Sequence, residues 1–186
     1  GSPMTASTYP SEPVGGDFFF TAKLMGIVTT NGKRILGVDP GSGRLGLGLI
    51  EVAAGGPRLM HFDCITTTPN SPEPQKLSAI YYELVRQLEA IKPDLVVVEM
   101  IFFANNAKTA FAVGQARGVV LLAVAQANIE LVEIAPLRLK KILLGNGTAK
   151  KKDIQQFVKN YFKLESIPKP DDAADAVAIA LSQVLN

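Results

Sequence analysis

Four carboxylates stand at positions where a carboxylate is hard to explain as packing. Asp39 closes the apolar run RILGVD (34–39), directly before Pro40-Gly41-Ser42-Gly43, and Glu99 closes DLVVVE (94–99). A charged group at the end of an apolar strand is expensive unless it reaches solvent, a partner or a cation. Asp172 and Asp175 lie at i and i+3 near the start of DDAADAVAIA (171–180), so a helix there carries both on one face. Acids are favoured at a helix N-terminus in any case, and Asp171 suits that role as the N-cap. Asp175 suits it poorly, one turn inside an otherwise apolar helix. Four acids with no plausible histidine ligand favour hard cations such as Mg²⁺, with Mn²⁺ a substitute. Two such ions ~3.5–4 Å apart suit phosphodiester hydrolysis, one activating water and the other stabilising the leaving oxygen.

Other chemistries have less support. The only histidine, His61, falls in a strand pattern beside Asp63 and is expected on an exposed face, and the only cysteine is Cys64. Neither a Ser-His-Asp nor a Cys-His arrangement is assembled from them. Gly41-Ser42-Gly43-Arg44-Leu45-Gly46 matches a dinucleotide-binding glycine pattern, but that reading needs a helix to start inside the loop. A short apolar strand follows instead, and Leu47-Gly48 stands where a Walker A loop has Lys-Ser/Thr.

The elements that must position these acids are legible from periodicity. Strands are expected at 34–39, 45–52 and 58–66, joined by Gly-rich turns into an antiparallel meander. A helix over 75–91 carries Leu77, Ile80, Tyr81, Leu84, Val85, Leu88 and Ile91 at helical spacing and stops at Pro93. The run at 94–99 reads as a central strand covered on both faces. A loop over 100–105, a helix over 106–127 and a strand over 130–134 follow. Helices are then expected from Pro136 to Gly145, over 149–163 with Thr148 as cap, and over 171–185. The order βββαβαβααα predicts an α/β fold with a mixed five-stranded sheet flanked by helices.

At 186 residues and 47% hydrophobic composition, the chain has the length of a single domain and too much apolar content for disorder. Residues 1–33 read as a cloning scar (Gly1-Ser2-Pro3) and a mobile N-terminal extension, with the working domain at 34–186. One cysteine, no secretory signal and no apolar stretch of membrane-spanning length lead to the expectation of a cytoplasmic protein. Net charge is +2, but residues 137–164 hold eight basic residues against Asp153, a net +7 that leaves −5 elsewhere. Such a block suits a grip on a polyanion, and equally a solvated helix face.

Three segments, VDPGSGRLGLGLI, VVVEMIFFANNAKTAFAVGQARGV and DDAADAVAIA, closely resemble RuvC-type Holliday junction resolvases over about residues 34–185. The resemblance implies a ribonuclease H-like fold and a homodimer that resolves four-way DNA junctions. It also implies paired symmetric cuts, two Mg²⁺ ions per active site and work beside a branch-migration motor. The family's catalytic, metal-holding acids fall on Asp39, Glu99, Asp172 and Asp175. Its junction-entering aromatic falls on Phe102, with Phe103 as a competitor, and its DNA-contacting basic positions fall on Lys140 and Lys151. The match departs at Leu45, where relatives commonly carry threonine. Gly114, Gln115, Arg117 and Gly118 are open to packing, interface or DNA contact. The rival readings are a non-catalytic branched-DNA binder, a related nuclease acting on RNA, and an actin-like phosphate loop, for which the chain is too short.

Overall fold

Alternation of apolar residues along the first three strands gives each of them two faces. The computed structural model describes residues 32–41, 43–101 and 107–186. Strands β1 (Lys33–Pro40), β2 (Arg44–Ala53) and β3 (Gly56–Thr66) form the expected antiparallel meander. Its register runs from Lys33 opposite Val52 to Pro40 opposite Leu45, and from Arg44 opposite Thr66 to Ala53 opposite Gly56. Helix α1 (Glu73–Ile91), strand β4 (Leu95–Glu99), helix α2 (Ala107–Gln126) and strand β5 (Glu130–Ile134) follow. Helices α3 (Pro136–Leu144), α4 (Lys151–Tyr161) and α5 (Asp171–Ser182) complete the described chain. The sheet order is β3-β2-β1-β4-β5, with β4 parallel to both β1 and β5. The mixed five-stranded sheet is as expected.

Two cores result from the two-residue strand period. Leu36, Val38, Leu47, Leu49, Val96 and Val98 pack under α1 and α2. Ile35, Ile50, Leu95 and Val97 pack on the other side under α3, α4 and α5. Helix α1 ends at Lys92, whose backbone is left-handed (φ 49°) and whose N–H donates to the Leu88 carbonyl at 2.8 Å. Helix α5 is buried nearly all round, from Ala173 to Ser182, as expected for a helix enclosed between a sheet and other helices. Among the described residues, no helix is long and apolar enough to cross a membrane.

Glycines in β1 and β2 let α5 lie directly on the sheet. A Cβ on Gly37 would come within 2.6 Å of the Ala180 amide nitrogen, and one on Gly46 would collide with the Asp172 carbonyl. Alanines 173, 176 and 180 supply the matching short side chains on α5.

Three local expectations need correction. Asp171 is the first helical residue of α5, and Pro170 holds the cap position without a side-chain bond, because proline's extended backbone already sets the entry. Thr148 does not cap α4: its N–H and hydroxyl both donate to Asn146 Oδ1, while Asp153 accepts from the Lys150 N–H at 2.8 Å. His61 is largely covered, its side chain only 9% exposed. It pairs with Leu49, on the face that packs under α1 and α2.

Candidate active site

Parallel pairing places the ends of β1 and β4 side by side. Val38 is in register with Val98, so Asp39 and Glu99 follow as the next residues of adjacent strands. Val38 and Val98 face α1 and α2, which turns the two acids to the opposite face, toward α5. There the glycine floor at Gly46 brings the first turn of α5 against the sheet. Carboxylate oxygens of Asp39, Asp172 and Asp175 consequently lie within 4.8 Å of one another. Glu99 stands outside that group but close enough for its charge to act on Asp39.

The cluster is short of positive charge. Burial, then the charges of Asp175, Glu99 and Asp172, push the Asp39 carboxyl up to about 7, against the opposing pull of Lys151. Glu99 is likewise pushed up to about 7 by burial and then Asp175, with Lys140 and Lys151 opposing. Burial also raises Asp175, although bonds to Lys151 and Gln155 favour its charged form. Lys151 Nζ lies 2.5 Å from Asp175 Oδ2, and Gln155 Nε2 donates to Oδ1 at 3.3 Å. Burial disfavours the Lys151 ammonium, but that hydrogen bond and the surrounding carboxylates outweigh it and raise its pKa. An all-oxygen donor set whose charged forms are disfavoured first by burial and then by mutual repulsion fits a hard divalent cation.

Of the expected site residues, the structure therefore brings Asp39, Asp172 and Asp175 together with Glu99 beside them. Lys151 is paired with Asp175 while its side chain stays about half exposed, and Lys140 acts on Glu99 from α3. Lys151 is also the first residue of α4, an end where the helix dipole disfavours a cation, so its partner has to be the acid cluster. Phe102 and Phe103 lie outside the described residues. The Cys64 thiolate is disfavoured: burial, then Asp172 and Asp63, push its thiol up to about 12. Two contributors escaped sequence reasoning. Gln155 sits four residues beyond Lys151 on the same face of α4, a signal that only the position of α5 makes meaningful. Arg44, just past the Asp39 turn, brings its Nη1 to 3.7 Å from Asp172 Oδ2.

The chain is similar to known proteins over most of its length. The family model described as crossover junction endodeoxyribonuclease RuvC matches residues 35–183. A Thermotoga maritima crossover junction endodeoxyribonuclease RuvC is 48% identical over 154 residues, covering 82% of this chain and 90% of its own length. The Thermus thermophilus RuvC structure superposes with a TM-score of 0.73 at 34% identity, over 80% of this chain and 92% of that one. A structure of the same Thermus protein in complex with Holliday junction substrate gives 0.71 at 31% identity, over 80% and 91%.

Proposed function

The chain belongs to the RuvC family of crossover junction endodeoxyribonucleases, and from that premise we propose that it cuts four-way DNA junctions as a metal-dependent homodimer in recombination and repair. The observation that carries this reading is the convergence of Asp39, Asp172 and Asp175 within 4.8 Å at the joined ends of β1 and α5. Residues 34–186 are the nuclease domain, and the cytoplasm is its place of action.

Asp39, Glu99, Asp172 and Asp175 would hold two Mg²⁺ ions. When bound, the ions supply an activated water and charge stabilisation at the departing 3′ oxygen. The chain's own residues do the rest. Strand ends and the close-packed α5 fix the carboxylates, so little reorganisation is needed at the moment of reaction. Lys151 and Gln155 hold Asp175 from one side, and Lys140 flanks Glu99. Phe102, with Phe103 beside it, is assigned to stack on unpaired bases at the junction centre. A family-wide branch-migration motor is the proposed further partner.

The solvent face of α2 supports the dimer. Phe111, Gly114, Gly118, Leu122 and Ala125 line one side of that helix, and all are exposed and uncharged. Phe111 is 68% and Leu122 52% exposed, more apolar surface than a lone helix face ordinarily leaves in water. A two-fold dimer matches the symmetry of a four-way junction and delivers paired cuts.

Cleavage of an immobile synthetic junction, a plain duplex and an RNA–DNA hybrid, each with and without Mg²⁺, tests the proposal. Symmetric nicks in the junction alone, only with metal, are expected, with 5′-phosphate and 3′-hydroxyl ends that a ligase seals. Junction binding without cutting would leave a non-catalytic module. Preference for the hybrid would move the chain to RNA.

A further inference from the structure

We propose that Arg44 is a phosphate-binding residue of the active site, gripping a junction phosphodiester beside the cut; this rests on the nuclease reading above. Two Mg²⁺ would offset the four carboxylates at the cut itself, and a flanking phosphate is held best by a cation at the rim of the site. Lys151 is committed to Asp175, and Lys140 stands at the Glu99 side. On the β2 side the cation is Arg44, 55% exposed at its side chain.

Its backbone is built to hold it there. Buried Thr67, 5% exposed, directs both its N–H (3.1 Å) and its hydroxyl (3.3 Å) at the carbonyl of Gly43, the residue before Arg44. Two residues later, Gly46 is pressed against the Asp172 backbone, and Arg44 itself pairs with Thr66 in the β2–β3 ladder. The backbone of Arg44 is thus held on both flanks, and its guanidinium reaches toward Asp172 from there. Its ion-pair partner among the described residues is Asp172, at a long 3.7 Å. A guanidinium has five donors in a planar fork that matches a phosphate, and more than half of this side chain is open to solvent. A residue serving only to steady Asp172 would sit closer, as Lys151 does to Asp175 at 2.5 Å.

The test compares wild type, Arg44→Ala and Arg44→Lys on junctions carrying a neutral methylphosphonate at single positions flanking the cut. Expected for Arg44→Ala is a fall of about tenfold or more in single-turnover cleavage at subsaturating protein. The log–log salt slope of binding should flatten by about 0.9, the value of one phosphate contact. Arg44→Lys should recover part of the affinity. At one position, the methylphosphonate should weaken wild type but not Arg44→Ala. The Mg²⁺-induced rise in melting temperature should be the same in all three proteins. Equal methylphosphonate penalties at every position, or a changed Mg²⁺ response in Arg44→Ala, overturn the proposal, the second outcome making Arg44 a prop for Asp172. Failure of wild type to cut any junction would sink the nuclease reading separately, while the salt slopes still judge whether Arg44 touches phosphate.

Discussion

Replacing Asp39 by asparagine should make the metal-free protein more stable while it destroys cleavage. Asp39 is raised from 3.8 to about 7 by burial and by the neighbouring acids. A carboxyl whose folded pKa lies above its unfolded value contributes its full stability only below the unfolded pKa, near 4. That contribution is lost as pH rises through about 7. At pH 8 wild type therefore carries the whole penalty of an ionised Asp39 in a crowded acidic site. Three pKa units correspond to about 4 kcal/mol at most. Part of the shift is shared with Asp175 and Glu99, and partial exposure screens more, so roughly 1–2 kcal/mol should be realised. For a chain of this size that is about 2–8 °C in melting temperature. The assay is thermal denaturation of both proteins from pH 4 to pH 8.5 with EDTA, then with Mg²⁺. The variant's advantage should be largest at pH 8 and vanish near pH 4. Mg²⁺ at a hundred times its dissociation constant should raise wild type by about 2.7 kcal/mol and the variant far less. Equal melting temperatures at pH 8, with equal responses to Mg²⁺, would refute both the repulsion argument and the placement of Asp39 among the ligands.

Other perturbations test the supports around the cluster. Gly46→Ala pushes a methyl group into the Asp172 carbonyl, and overpacking of that kind should cost roughly 1–3 kcal/mol in urea denaturation and blunt the Mg²⁺ response. Replacing Lys140 and Lys151 together by alanine should flatten the salt slope of junction binding by about 1, from Lys140 alone, because Lys151 is bonded to Asp175; a change near 2 would mean that Lys151 leaves Asp175 for phosphate. Phe102→Ala should cut poorly with little loss of affinity and recover on junctions whose centre is already unpaired; loss of the folded dimer would place that side chain in an interface or core.

The acids were legible because their positions contradict their surroundings. Asp39 and Glu99 follow apolar residues that are 4% exposed or less, Ile35, Leu36 and Val38 in one strand and Leu95 to Val98 in the other. Asp175 interrupts a helix whose neighbours Ala174 and Ala176 are fully buried. Strand order was also within reach, since a short-turned meander followed by helical crossovers leaves few arrangements. The cap at Thr148 misled because Asn146, two residues earlier, competes for the same hydroxyl and amide. His61 misled because alternation alone does not say which face of an edge strand a helix will cover.

What the sequence could not carry is the distance between elements that are far apart along the chain. The glycines at 37, 46 and 48 read as weak points of two strands, for glycine lowers strand stability wherever it stands. Their purpose exists only once α5, more than a hundred residues later, lies on them. The same holds for Lys151. In the sequence it belongs to a basic block that looks outward, toward a polyanion. In the fold its ammonium pairs with Asp175 Oδ2 at 2.5 Å, although more than half of its side chain stays open to solvent. A basic residue beside a catalytic acid can thus serve the site in two opposite ways, by balancing carboxylates or by receiving phosphate. Here the two tasks fall to different residues, Lys151 within the cluster and Arg44 at its rim.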